Sequence, residues 1–306
     1  MSMTLSINPS YFCNFNCDFC YLTPAQLKDK TKIDLAQLDK LLHEVTIYDT
    51  IDWIDLYGGE IAVLPDEYLD GMIAVIRKHY TGLINIVTNF STMNDRLFAD
   101  DVVLSVSYDF EARQQSDRVF QNLMMSPKPV AVLILASKQV INMDVDYMIN
   151  MLNMCSSVES VEIKPYSINQ ANCHSVSHRD FEQFVQRWLD SPVSKRFEFG
   201  NQSKIESCLD KTYNAYSDNH IYITPNGKFA VLEFDLNDRE YFLELDSFEE
   251  YIKWAQKEKQ DLSPICKSCP YNGHCLTEHY RYVKDLDNSC NGYRFLLEAY
   301  ERRLED

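Results

Sequence analysis

Long apolar runs are missing from this 306-residue chain. The longest, residues 130–136, falls far short of the roughly 20 residues a membrane-spanning helix needs. Export signals are missing too: the opening MSMTLSINPSYF has neither a basic start nor an apolar stretch leading to a small-residue cleavage site. The expectation is a cytoplasmic protein, in a compartment where thiols stay reduced and clustered cysteines bind metal in preference to forming disulfides. Basic residues are few. Against 46 Asp and Glu there are 29 Lys and Arg, a net charge of −17, which opposes attraction to phosphate backbones and anionic lipid. Nucleic acid is therefore disfavoured as a partner and no membrane is expected, whereas a cationic peptide, a neutral small molecule or a basic electron donor meets no such repulsion. No phosphate-cradling loop, dinucleotide fingerprint or Ser-His-Asp arrangement is legible. Glycine is scarce as well, with 8 in the chain, and two of them stand side by side at Gly58 and Gly59.

What is present is an alternation of β-branched runs with helical periods, which predicts repeated βα units around a parallel sheet. Strands are expected over 4–8, 53–57, 83–88, 102–108, 130–136 and 158–164. Between them Leu35, Leu38, Leu41, Leu42 and Val45 keep a helical period behind Asp34, a predicted N-cap. Tyr68, Leu69, Met72, Ile73 and Ile76 repeat the pattern, and further helices are expected over 113–125 and 144–154. A polar loop then leads to a helix over 179–190. Runs over 221–224 and 229–234 flank Pro225-Asn226-Gly227, a hairpin signal. Helices over 247–259 and 292–303 bracket a cysteine-rich segment.

Chemistry is concentrated in ten cysteines. Cys13, Cys17 and Cys20 form CxxxCxxC in the loop after the first strand. Three thiolates can hold three corners of a 4Fe-4S cluster and leave the fourth iron open to a small molecule; a zinc site or a chance group of buried thiols is the alternative. Gly58-Gly59-Glu60 follows the second strand, where paired glycines let a backbone approach a ligand closely. Loops at the carboxyl ends of parallel barrel strands form the active-site mouth, so the two motifs are expected to face each other.

With both motifs in register the sequence resembles the radical S-adenosylmethionine (SAM) superfamily. The resemblance implies that the open iron chelates the amino and carboxylate groups of S-adenosyl-L-methionine. An electron from the reduced cluster would then split the sulfonium, and the resulting 5′-deoxyadenosyl radical would abstract a hydrogen atom from a substrate. It implies that Gly58, Gly59 and Glu60 receive the methionine amino group and that Phe19 shields the cluster near adenine. It also implies that Asn89 and Ser107 line the SAM site, where ordinary strand-end hydrogen bonding is the alternative. Ile61 departs from the proline that many relatives carry after the glutamate.

Cys266, Cys269, Cys275 and Cys290 form a second set that resembles the C-terminal SPASM or twitch extensions of these enzymes. This implies an auxiliary 4Fe-4S cluster, with a structural zinc ribbon as the alternative. Leu232 and His279 stand where the two-cluster pattern has cysteines, so one auxiliary cluster is expected. Cys155, Cys173 and Cys208 remain. Cys208 is too far from Gly227 and lacks companions, and Cys173 lies in a loop at the barrel mouth, as a possible hydrogen-atom donor or a spare thiol. Lys164 and Tyr166 in that loop are candidate contacts to substrate or SAM.

The expected fold is α/β. A partial (β/α)6 TIM-like barrel spans 1–175, a helical linker 176–218, and a small α+β cluster-binding domain of SPASM or twitch type 219–306. The expected function is a radical SAM enzyme acting on a ribosomal peptide or protein side chain by crosslinking, epimerisation or oxidation. A twitch-like enzyme acting on a sugar or nucleotide is the runner-up, and a non-catalytic iron-sulfur or zinc protein is the reading from another class. A low-potential donor of flavodoxin or ferredoxin type is implied. The sequence opens almost directly on its first strand, so a separate peptide-recognition protein or a short recognition surface is expected.

Overall fold

The computed structural model describes residues 2–165, 176–215, 219–232, 242–260, 264–276 and 293–305. Six parallel strands and the helices between them form the first part of the chain. They run β1 (Ser2–Ile7), α1 (Leu35–Tyr48), β2 (Thr50–Leu56), α2 (Asp66–Ile76), β3 (Ile84–Thr88), β4 (Val102–Ser107), α3 (Ser116–Met125), β5 (Val130–Leu135), α4 (Val145–Asn153) and β6 (Val158–Lys164). All six predicted strands appear within three residues of their expected ends. Asp34 caps α1 as expected, its side chain accepting from the Gln37 N–H at 2.9 Å. Between β3 and β4 only a 3-10 turn forms, Asp95–Phe98.

Next come α5 (His178–Asp190), a two-residue β7 (Glu198–Phe199) and α6 (Gly200–Leu209). The hairpin strands β8 (His220–Ile223) and β9 (Phe229–Leu232) precede β10 (Phe242–Leu245), α7 (Phe248–Gln260), the single turn α8 (Pro264–Lys267) and α9 (Arg294–Glu305). In the hairpin Gly227 alone adopts positive φ, +70°, and its N–H donates to the Thr224 carbonyl at 3.0 Å. The turn thus places its glycine in the left-handed position after a type I-like bend, the positive φ for which the Asn-Gly pair is suited.

One sheet of ten strands results, ordered β10-β9-β8-β1-β2-β3-β4-β5-β6-β7, and it does not close. The hairpin joins the edge of the barrel sheet, with β8 parallel to β1 from Thr4↔His220 to Ile7↔Ile223. This covers an edge that would otherwise expose unpaired backbone groups, and β7 ends the far side with only two residues.

The two faces of the sheet differ. Leu5, Ile7, Ile54, Leu56, Ile86, Val106, Val132, Ile134 and Ile163 pack under Leu38, Leu42, Met72, Ile76, Val119, Leu123 and Ile149 of the helices, all buried in one core. The opposite face carries Ser6, Asp55, Asn85, Ser105, Ser160, Glu162 and Lys164. A parallel sheet packed on both faces reads as continuous apolar runs. Alternation to polar residues here sets the inner face apart from the apolar face that the helices cover. Helix α5 adds buried Phe181, Phe184, Val185 and Trp188 to the same core, and α9 packs beside it, the Leu296 N–H donating to Glu182 at 3.2 Å. Among the described residues no helix is long and apolar enough to cross a membrane.

Candidate functional site

The cysteine loop leaves β1 and runs across the carboxyl end of β2, where the glycine pair is its dock. Gly59 N–H donates to the Ser10 carbonyl at 3.0 Å and Glu60 N–H to the Phe12 carbonyl at 2.9 Å. A Cβ on Gly59 would lie 2.1 Å from the Phe12 oxygen and 2.5 Å from the Tyr11 oxygen. The close approach that the glycines permit is therefore to the protein's own cysteine loop. As expected, the two motifs face each other.

Glu60 is only 1% exposed. Its carboxylate accepts from Ala62 N–H (2.9 Å), the Thr88 hydroxyl (2.6 Å) and Asn89 N–H (2.6 Å), tying the end of β2 to the end of β3. Burial pushes its pKa up against those three donors. Asn89 continues the network: its Nδ2 donates to Asn14 Oδ1 at 2.9 Å and reaches Cys13 Sγ at 3.9 Å. Asn14 in turn donates to Ser91 Oγ at 2.8 Å. Ser107 ends β4, half-buried. Asn8, fully buried just past β1 and beside Gly58, has neither amide atom paired among the described residues.

All three thiols of the triplet are half-buried, and each is a sulfur toward which backbone N–H groups point. Phe15 N–H donates to Cys13 Sγ and Leu22 N–H to Cys20 Sγ, both at 3.4 Å, and the Gln114 backbone approaches Cys17. Burial pushes Cys13 up to about 12 and Cys20 to about 11, and raises Cys17. Uptake of metal would have to displace those protons. Among the described residues no three His, Cys, Asp or Glu side chains converge as ligands of a single ion. Three thiols on one loop, within electrostatic reach of one another, are the donor set that a cluster with one open iron would take.

Phe19, 8% exposed between Cys17 and Cys20, stacks under Arg113, whose guanidinium carbon is 5.3 Å from the ring centroid. Arg113, Asp109 and Asn14 escaped the sequence reading. The one legible trace was the Asp–Arg spacing of four in DFEAR.

Across the inner face a row of side chains is hydrogen-bonded beneath this loop. Asn85 Nδ2 and Trp53 Nε1 both donate to Asp55 Oδ1 at 2.8 Å, Ser105 donates to Asn85 at 3.0 Å, and Ser6 Oγ lies 2.9 Å from His220 Nε2. Ser6 also donates to Asp55 Oδ2 at 3.4 Å. The serine stands between imidazole and carboxylate, whereas a hydrolytic triad has the histidine in the middle. Further round, Lys164 (2.8 Å) and Lys204 both reach Glu162.

In the C-terminal segment Cys266, Cys269 and Cys275 are all half-buried, and Cys269 N–H donates to the Cys266 carbonyl at 3.1 Å. Cys290, Cys173, Tyr166 and His279 lie outside the described residues. Leu232, on β9, packs with Tyr222 and Ala230. Cys208 does have companions: it is buried in α6, its thiol is pushed to about 12 by burial and then by Cys275, and its carbonyl meets His274 Nδ1 at 2.8 Å. Folding brings residue 208 to the cysteine segment over a separation that spacing rules cannot see.

No protein-family model matches the chain, and a search of curated proteins finds no match. Solved structures do match. Native anSMEcpe with bound AdoMet superimposes with a TM-score of 0.71 at 14% identity, covering 99% of this chain and 98% of that one. This chain shares its fold. SuiB of Streptococcus suis bound to S-adenosylmethionine gives 0.66 at 14% identity over 93% of this chain and 75% of that one. SuiB bound to precursor peptide SuiA gives 0.66 at 14% identity, covering 93% of this chain and 73% of that one. The open, mostly parallel α/β sheet is thus the partial barrel expected from the sequence.

Proposed function

We propose that this protein is a radical SAM enzyme that modifies a peptide or protein side chain. The observation that carries the reading is the docking of the CxxxCxxC loop onto Gly58-Gly59-Glu60 at adjacent strand ends, in a chain with the fold of two enzymes solved with that cofactor. Cys13, Cys17 and Cys20 would hold a 4Fe-4S cluster. When bound, such a cluster supplies the electron that splits S-adenosyl-L-methionine and so releases the 5′-deoxyadenosyl radical.

The chain's own residues position and protect that chemistry. Phe19 excludes water beside the loop. The Glu60 carboxylate already has three donors, and the Gly58 carbonyl accepts from the Tyr21 hydroxyl at 3.4 Å, so the Gly59 main-chain carbonyl is the acceptor proposed for the methionine amino group. The Glu60 carboxylate keeps β2 and β3 in place, while Asn89 and Ser107 border the site. Cys266, Cys269, Cys275 and Cys290 would hold the auxiliary 4Fe-4S cluster in a unit spanning 219–306, joined by residues 176–218 to the barrel unit of 1–175. Cys173 is the proposed hydrogen-atom donor where the reaction is an epimerisation.

A peptide is favoured over a small molecule because anSMEcpe and SuiB have been solved with peptides, Cp18Cys and SuiA. The electron would come from a flavodoxin- or ferredoxin-type donor in the cytoplasm, and a separate recognition protein or a short recognition surface would present the peptide. Reduced anaerobically, the reconstituted protein should convert S-adenosylmethionine to 5′-deoxyadenosine; a fully iron-loaded sample that forms none refutes the reading. About eight irons per chain is the loading expected for two cubane clusters, and about four with one zinc would replace the auxiliary cluster by a ribbon.

A further inference from the structure

The connection from β4 to α3 clamps the cysteine loop. Gln114 grips Asn16 from both sides, its Oε1 accepting from Asn16 N–H and its Nε2 donating to the Asn16 carbonyl, each at 3.1 Å. One residue earlier, Arg113 lies over Phe19 with its side chain 14% exposed. Its Nε and a terminal nitrogen both bind Asp109 Oδ2, at 2.7 and 2.5 Å. Asp109 is fully buried, and its other oxygen accepts from Leu135 N–H at 2.6 Å, so the carboxylate anchors the guanidinium to β5. Phe110 and Gln115, on either side, hold left-handed backbone at φ +52° and +54°. Two such residues in one short loop are costly for side chains of this kind and persist where surrounding contacts fix them.

A cation buried within electrostatic reach of Cys17 and Cys20 needs a reason, because burial alone disfavours charge. Burial pulls the Arg113 pKa down, but Asp109, Cys17 and Cys20 more than offset it, and the guanidinium stays charged. The opposing negative groups nearby are Asp109, Glu60 and Asp18.

We infer that the Arg113–Asp109 pair sets the reduction potential of the three-cysteine cluster, with Arg113 as a positioning residue that presents one fixed positive charge to it and Asp109 as the counter-charge that limits the effect. This rests on the proposed radical SAM reading. A reduced cluster is one unit more negative than an oxidised one, so a nearby cation favours reduction and a nearby anion opposes it.

The test is an anaerobic redox titration of the reconstituted full chain, followed by electron paramagnetic resonance. The signal that changes on adding S-adenosylmethionine identifies the open-iron cluster. Arg113→Gln should lower the reduced-to-oxidised ratio at fixed potential about tenfold, equal to 59 mV for a one-electron couple. Asp109→Asn keeps an oxygen for Leu135 N–H and should move the potential the opposite way. Arg113→Lys, which keeps the charge, should stay near wild type. A mainly structural pair would give unchanged potentials, or shifts of one sign in both neutralising variants, and either result overturns the inference. Iron loss in Arg113→Gln that Arg113→Lys restores supports it, and loss in both overturns it in favour of packing. If wild type loads no iron on the triplet, the radical SAM reading falls and takes this inference with it. If wild type loads and cleaves S-adenosylmethionine but the potentials do not diverge, only the inference falls.

Discussion

Gly59→Ala tests whether the glycine pair serves the cysteine loop. The new methyl would sit 2.1 Å from the Phe12 carbonyl oxygen and 2.5 Å from its carbon, both backbone atoms that cannot rotate away. Relief requires the loop to lift by about an ångström, an overpacking cost of about 1–3 kcal/mol. Lifting also stretches the bonds from Gly59 N–H to Ser10 and from Glu60 N–H to Phe12, at about 0.5–1.5 kcal/mol each. The total is about 2–6 kcal/mol, acting on the seating of one loop and not on the helix-covered core. At about 1.4 kcal/mol per factor of ten, the docked loop becomes rarer by about one to four orders of magnitude. The expected result after anaerobic reconstitution is loss of about half the iron, the triplet's share, with only a modest fall in melting temperature. Gly71→Ala is the control, since its methyl meets nothing but the flexible end of Leu35, at 2.9 Å, and alanine favours the helix. If Gly59→Ala loads iron and responds spectroscopically to S-adenosylmethionine as wild type does, the docking argument is wrong.

Glu60→Gln keeps an oxygen for Ala62 and Thr88 but turns an NH2 toward the Asn89 N–H, and should cost about 2 kcal/mol in chemical denaturation; an unchanged midpoint would count against the cross-strand role. Glu182, which accepts from the Leu296 N–H, has its pKa raised by burial above the ordinary 4.5, so any stability it lends is complete below that value and is lost as pH rises through its folded pKa. Glu182→Gln should therefore gain on wild type between pH 4.5 and neutrality, and denaturation curves with a pH-independent gap would contradict this. Asp55→Ala leaves Asn85 and Trp53 without their acceptor and should lower stability by about 1–2 kcal/mol while iron per chain stays constant, as measured by denaturant melts beside iron analysis. Cys266→Ala should leave the triplet's iron in place, and a sample stripped of all iron would show that the two sites are not independent.

What could be read from the sequence was whatever rests on neighbours along the chain. The strand runs and the Asp34 cap are local, and the structure bears them out. Short β7 and weakly amphipathic α6, with only Ile205 and Cys208 buried on it, gave no periodic signal to find. The joining of the hairpin to β1 could not be read either, because it pairs Thr4 with His220 and nothing local encodes that choice. The same limit runs through the site. Asn14 meets Ser91 and Asn89, Gln114 meets Asn16, and Cys208 lies near Cys275. The Asn14 and Gln114 contacts join loops that only the parallel sheet brings together, and the Cys208 contact joins α6 to the cysteine-rich segment. Because all the strands of a βα alternation point the same way, their carboxyl-end loops must converge. Recognising the fold therefore predicts that the cysteine loop will have partners from β3 and β4, but not which side chains they will be. Gly58-Gly59 marks the limit. Its position was read correctly as a point of close approach, whereas its occupant, the Tyr11–Phe12 backbone, required the folded chain. A motif that reads as ligand-binding can thus act one step earlier, by seating the loop that binds.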